Sequence, residues 1–139
     1  MLTLHKLIIA GLVALALGSL AGCGPSGQPK IELSETHIDL GTVVNGEVRE
    51  FTVEVRNPGQ QPLVIDAVTT SCGCTTATVA PETIGPGESG TLHVAYDSGA
   101  HGPEFNGPVE RQIFIASNDP DQREVVLTLS VEVLLPVGP

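Results

Sequence analysis

The chain has 139 residues, enough for one domain with a single core, and carries a formal charge of −10 with only six lysines and arginines. Lacking a basic cluster, and with Phe51, Tyr96, Phe105 and Phe114 as its aromatics, it offers neither an electrostatic footprint for nucleic acid or anionic headgroups nor a stacking platform for bases or sugars. The sixteen acidic side chains are scattered rather than blocked, as solvated strand faces require.

The first segment reads as a targeting sequence set apart from the fold. His5 and Lys6 give a short basic start, and Leu7 to Leu20 is apolar apart from small Gly11, Gly18 and Ser19. The run ends at Leu20-Ala21-Gly22-Cys23. This is the layout of a secretory signal peptide over residues 1–22, short for a membrane span and closed by small residues. Leu-Ala-Gly-Cys resembles a bacterial lipobox, and the resemblance implies that Cys23 is lipidated, becomes the first residue after cleavage and is acylated again, for instance with palmitate. The alternative is ordinary cleavage near Ala21 or Gly22 with Cys23 left as a thiol, a liability in an oxidising compartment. Either cleavage removes Lys6 and leaves five basic against sixteen acidic side chains. The expected localisation is the cell envelope, lipid-anchored. By resemblance to lipoprotein sorting signals, Gly24 in place of aspartate points to the periplasmic face of the outer membrane if the envelope is Gram-negative.

Gly24-Pro25-Ser26-Gly27-Gln28-Pro29 has no apolar content and reads as a tether, spanning roughly 14 Å if it behaves as a flexible coil. Residues 23–30 are thus expected to join the lipid to a domain over 31–135. From Lys30 onward, short alternating runs are separated by turn residues. Ile31-Glu32-Leu33 and Ile38-Asp39-Leu40 open the series. Val48 to Arg56 places Phe51, Val53 and Val55 on one face, and Asn57-Pro58-Gly59 ends it as a turn. Leu63 to Val68 leads into Ser71-Cys72-Gly73-Cys74-Thr75, followed by β-branched Thr75 to Val79. Ile84-Gly85-Pro86-Gly87 reads as a turn. Thr91 to Asp97 puts Leu92, Val94 and Tyr96 on one face. Ser98 to Pro108 is irregular. Val109 to Ser117 has Arg111, Ile113 and Ile115 on one face, and Arg123 to Val133 has a row from Val125 to Val133. About seven strands without a helix signal predict an all-β, immunoglobulin-like antiparallel β-sandwich.

Leu40-Gly41-Thr42-Val43, Asn57-x-Gly59 with Pro62-Leu63, Ser71-Cys72-Gly73-Cys74-Thr75, Pro86-Gly87 and Ser117-Asn118-Asp119 together resemble the bacterial domain of unknown function 1573 family over about residues 31–133. The resemblance implies an Ig-like fold, export to the cell envelope and frequent lipid anchoring. At the level of fold it is also similar to envelope and ciliary Ig-like modules that bind partners through strand edges. The expected function is that of a non-catalytic binding or structural module, with the membrane and other envelope proteins as partners and no nucleic acid.

Cys72 and Cys74 carry the alternative reading. Two residues apart on an extended strand, both sulfurs project to one side, an arrangement suited to Cu(I), which accepts low coordination. Zinc wants two further ligands, which the spacing does not supply. If Gly73 lets the backbone turn, the pair instead comes within disulfide range and suits disulfide exchange in the periplasm or its equivalent. A purely structural pair is the third option, although so small a loop removes little chain entropy. His37, His93 and His101 are candidates to complete a metal site, but no His-x-His spacing supports it, and His93 falls opposite the apolar row. Asn118-Asp119-Pro120-Asp121 has carboxylates for calcium but lacks the ligand count of a dedicated loop, so turn chemistry explains it better. Gly87-Glu88-Ser89-Gly90 misplaces the second glycine of a nucleophile elbow and has no strand–turn–helix context. An enzyme is not expected.

Overall fold

The structure, a computed structural model, describes residues 27–138. The signal peptide over 1–22 and the lipidation candidate Cys23 lie outside the described residues. Nine strands follow in chain order: β1 (Glu32–Leu33), β2 (His37–Val44), β3 (Val48–Arg56), β4 (Leu63–Thr70), β5 (Thr75–Ala80), β6 (Thr83–Ile84), β7 (Ser89–Asp97), β8 (Gly107–Ser117) and β9 (Glu124–Leu134). They form two packed sheets of order β1-β3-β7-β5 and β2-β9-β8-β4-β6, with no helix among the described residues. The fold is the Ig-like sandwich expected from the strand pattern. The seven longer strands and two-residue β1 fall where the strand pattern places them; two-residue β6 is an addition.

Alternation builds the core. Val53 and Val55 of β3, Leu92, Val94 and Tyr96 of β7, Ile113 and Ile115 of β8, and Leu127, Leu129, Val131 and Val133 of β9 are all buried between the sheets. Each fully buried aliphatic side chain contributes on the order of 1.5–3 kcal/mol. Ile84 differs from expectation. The glycine–proline pattern after it suggests a turn, but Ile84 is a strand residue paired with Leu63 and fully buried.

Two features depart from a simple antiparallel ladder. β2 runs parallel to β9, whereas every other strand pair is antiparallel. A register shift between Asp39 and Thr42 changes the phase of β2, so Ile38 and Leu40 face inward before it and Val43 after it. Asp39 Oδ1 accepts the Gly41 N–H at 2.8 Å within this bulge, where Gly41 has φ +65°. A second shift in β4, between Ile65 and Ala67, hands the inward role from Ile65 to Val68.

The two ends of the sandwich can be told apart by β7. Its start pairs with the end of β3 (Ser89 with Arg56), and its end lies beside the start of β5 (Tyr96 with Thr75). Nine strand residues separate the ends by about 27 Å. Residues 28–31 enter at the β3–β4 end. There Gln60 N donates to Gln28 O (3.0 Å), Lys30 N to Asn57 Oδ1 (3.2 Å) and Ile31 N to Asp119 Oδ2 (2.9 Å). The stretch expected to be tether is therefore laid onto the domain from Gln28. The Cys-Gly-Cys turn sits at the opposite end.

Candidate functional site at the Cys-Gly-Cys turn

β4 and β5 belong to different sheets, and residues 71–74 carry the chain from one to the other. The crossover is held on both sides. Ser71 N donates to Gln112 O (2.9 Å), and Gln112 N donates back to Ser71 Oγ (3.0 Å), which fastens the turn to β8. Asp97 N donates to Cys74 O (2.8 Å) and fastens it to β7. The Thr70 hydroxyl, ending β4, lies 2.9 Å from Cys72 O and 3.0 Å from Thr75 O, so its one proton bridges both carbonyls.

Gly73 bends the backbone enough to bring the Cys72 and Cys74 Cα atoms to 5.3 Å, and the two sulfurs are bonded. Neither is a thiolate ligand in this state, so the Cu(I) expectation concerns the reduced pair alone. The sulfurs are not equivalent. Cys74 is only 4% exposed and joins the core, whereas Cys72 is half-buried at its margin. Thr75 Oγ1 lies 3.7 Å from each sulfur.

Arg111 completes the site from β8. It follows the inward parity of Val109 and Ile113, and its Nε donates to Cys74 Sγ at 3.3 Å. Nη1 donates to its neighbour's carbonyl, Glu110 O (2.7 Å), and Nη2 donates to His101 Nε2 (2.9 Å). A guanidinium cannot accept, so His101 accepts through Nε2 in this contact and holds its proton on Nδ1. The His101 ring is tilted over Phe105, with centroids 4.8 Å apart. Asn45 holds the loop carrying both, donating to Gly102 O (2.9 Å) and Phe105 O (2.7 Å). Arg49 and Arg56 sit in exposed ion pairs with Glu47 and Glu54, but Arg111 has no carboxylate partner among the described residues. The Tyr96 hydroxyl is fully buried and has no hydrogen-bond partner among the described residues. Burial pushes its pKa up, against the opposing pull of the Arg111 charge.

Of the three histidines weighed for a metal site, only His101 is drawn toward the cysteines, and that through Arg111. His37 lies in β2 with Nε2 3.0 Å from Ser130 Oγ, and His93 is exposed on the outer face of β7. Among the described residues no group of three or more His, Cys, Asp or Glu is placed to hold a metal ion. Asp119 is spent otherwise. It accepts from the N–H groups of Ile31, Asp121 (2.9 Å) and Gln122 (3.2 Å) while only 2% exposed. Arg111 and Tyr96 were not singled out from sequence as site residues. The available signal was the arginine itself, a charge on the core-facing parity of a strand.

Residues 31–133 match the family described as Protein of unknown function (DUF1573). The chain belongs to this family. No curated protein matches this DUF1573 chain. Among solved structures it is similar to a protein of unknown function from Porphyromonas gingivalis W83, at 28% identity and a TM-score of 0.70, over 82% of this chain and 51% of that one. The DUF1573 chain thus spans about half the length of the Porphyromonas protein. The ASH / PapD-like domain of human CEP192 is matched over 87% of this chain and 95% of that one, at 11% identity and a TM-score of 0.61. The Vibrio cholerae VesB protease is matched over 73% of this chain but 31% of its own, at 13% identity and a TM-score of 0.60. At these identities the last two show the shared fold alone.

Proposed function

We propose that this DUF1573 chain is an exported lipoprotein, anchored in the envelope membrane through Cys23, whose sandwich is a non-catalytic module that binds an extended segment of another envelope protein. The observation that carries the binding reading is the edge of β5. A sheet edge is a template for a further strand, and proteins guard it by shortness, charge or bulges. β1 and β6 are two residues long, and β2 carries Asp39 and a bulge. β5, Thr-Thr-Ala-Thr-Val-Ala, has none of these protections and keeps an unbroken register against β7.

Cys74 O accepts from Asp97 N, so by antiparallel alternation the peptide groups of Ala77 and Val79 face away from β7. They border a groove of about 200 Å³ whose far wall is Ile65, Ala67 and Val68 of β4 and whose rim carries Asp66 and Glu82. An extended segment with β-branched residues and flanking lysine or arginine suits this groove through main-chain hydrogen bonds and charge. The likeness to a PapD-like domain supports the architecture, and the β5 edge supports the mode of binding.

The test is amide hydrogen exchange on the full chain in the presence of alternating valine/threonine decapeptides flanked by lysine. Saturable binding that slows exchange at Ala77 and Val79, and that Ala77→Pro abolishes without unfolding the domain, is the expected result. Binding that leaves those amides unprotected, or no binding across the peptide panel, would falsify strand addition at β5.

A further inference from the structure

The environment of the Cys72–Cys74 bond is asymmetric, and the asymmetry gives it a direction. Cys72 is half-buried at the margin of the core, whereas Cys74 is 4% exposed beneath it. Among the described residues the only charged donor at the bond, Arg111 Nε–H, is given to Cys74 Sγ. That guanidinium has no carboxylate to neutralise it among the described residues. A cation beside a sulfur stabilises the thiolate over the thiol, and a thiol that gives up its proton readily is the better leaving group in exchange.

We propose that Cys72–Cys74 is a thiol–disulfide exchange site in which Cys72 is the sulfur attacked and Cys74 the leaving thiolate, with a pair of reduced cysteines on another exported protein as its partner. This activity goes beyond strand addition and does not depend on it. The partner's thiolate attacks Cys72 Sγ, a new S–S bond forms between them, and the Cys72–Cys74 bond breaks with its electron pair moving to Cys74 Sγ. Arg111 holds that thiolate. The partner's second thiolate then attacks the partner sulfur of the mixed disulfide, expelling Cys72. The partner leaves oxidised by two electrons, and Cys72 and Cys74 remain as the reduced pair, with the two protons lost by the partner's thiols available to them. The site stands at the end of the sandwich opposite the entry of residues 28–31.

The experiment uses the full chain, purified in detergent in its oxidised form and mixed with reduced glutathione. Freed thiols are capped with N-ethylmaleimide at early times, and both modifications are located by fragmentation mass spectrometry. Glutathione on Cys72 with maleimide on Cys74, at least about tenfold over the reverse pattern, is expected from the exposure difference and the charged donor. The reverse pattern, an even distribution, or a bond that glutathione leaves intact overturns the proposal. This mapping uses the unsubstituted protein, so a folding defect in a variant does not blunt it.

The role of Arg111 has its own readout. In a Cys72→Ser background the ultraviolet absorbance of the Cys74 thiolate is titrated with Arg111, Arg111→Lys and Arg111→Gln. His101, Asp97 and Tyr96, the other titratable groups around the turn, are unchanged throughout. Arg111→Gln raises the midpoint and Arg111→Lys restores part of it, and in the disulfide form Arg111→Gln slows cleavage by about 3–10-fold. An unmoved midpoint removes Arg111 from the mechanism.

Discussion

At the end of the sandwich where residues 28–31 enter, two buried polar side chains are fully used. Asn57 donates to Gln61 O and Ile84 O (2.8 and 3.0 Å) and accepts from Lys30 N and Gly59 N (3.2 and 3.0 Å), while Asp119 collects three backbone N–H groups. Gly59 is required there because the backbone of Gln28 and Lys30 leaves no room for a Cβ. At the other end the polar groups are incompletely matched. A guanidinium faces a sulfur and a histidine instead of a carboxylate, and a buried phenol has no partner among the described residues. Satisfied buried polarity fixes a structure, whereas unmatched polarity around a reducible bond marks a place kept for chemistry. The contrast teaches that the same sandwich is stapled at one end and, on the exchange proposal, reactive at the other.

The largest expected effect concerns which end meets the membrane. Cys23→Ser abolishes palmitate labelling of the full chain and shifts it from the membrane to the soluble fraction on envelope fractionation. A variant that stays membrane-bound breaks the assignment of the entry end to the membrane side. Next in size is the staple itself. Asp119→Ala leaves the buried Ile31 N–H and the part-buried N–H groups of Asp121 and Gln122 short of an acceptor and lowers unfolding free energy by about 2–3 kcal/mol, read as a shift in urea midpoint at unchanged slope.

The double variant Cys72→Ser/Cys74→Ser is expected to cost less, about 1–2 kcal/mol, because the bond closes a loop of three residues and so removes little entropy from the unfolded chain. If the double variant proves more destabilising than Asp119→Ala, the disulfide end is the structural one and the comparison inverts.

The sequence made some of this legible. Strict alternation in Val48–Arg56, Ser89–Asp97 and Glu124–Leu134 reveals which residues face inward, because a period of two has one reading on a half-buried sheet. It does not reveal neighbours. Nothing in His37–Val44 tells that β2 lies parallel to β9, since parallel and antiparallel edges bury the same face. The two phase shifts were not legible either: the strand pattern stops at Leu40, just before the bulge at Gly41, and runs from Leu63 to Val68 without marking the shift between Ile65 and Ala67. At the candidate site the Cys-Gly-Cys spacing was visible, but its asymmetry comes from Arg111, 37 residues downstream. The turn chemistry of Asp119 was likewise visible from Asn118-Asp119-Pro120. Its bond to Ile31, 88 residues away, depends on how the entering chain crosses the sheet end.

The smallest expected effect is a difference in acid response between the ends. Burial alone would raise the Asp119 carboxyl, but the N–H groups of Ile31, Asp121 and Gln122, helped by the Lys30 charge, outweigh it and hold the pKa below the ordinary aspartate value. A folded-state pKa below the unfolded one means that the unfolded chain binds the proton more tightly. The contribution of Asp119 is therefore complete above the unfolded value and is lost as pH falls through the depressed folded value. Urea midpoints taken from neutral pH down through the carboxylate range should fall more steeply for the native chain than for Asp119→Asn, which has no charge to lose there. The Cys72→Ser/Cys74→Ser variant, whose entry end is intact, should keep the native slope. Equal slopes for the native chain and Asp119→Asn would mean that the three N–H donors do not favour the ionised carboxylate, and the entry end would lose its claim to be the electrostatic staple of the fold.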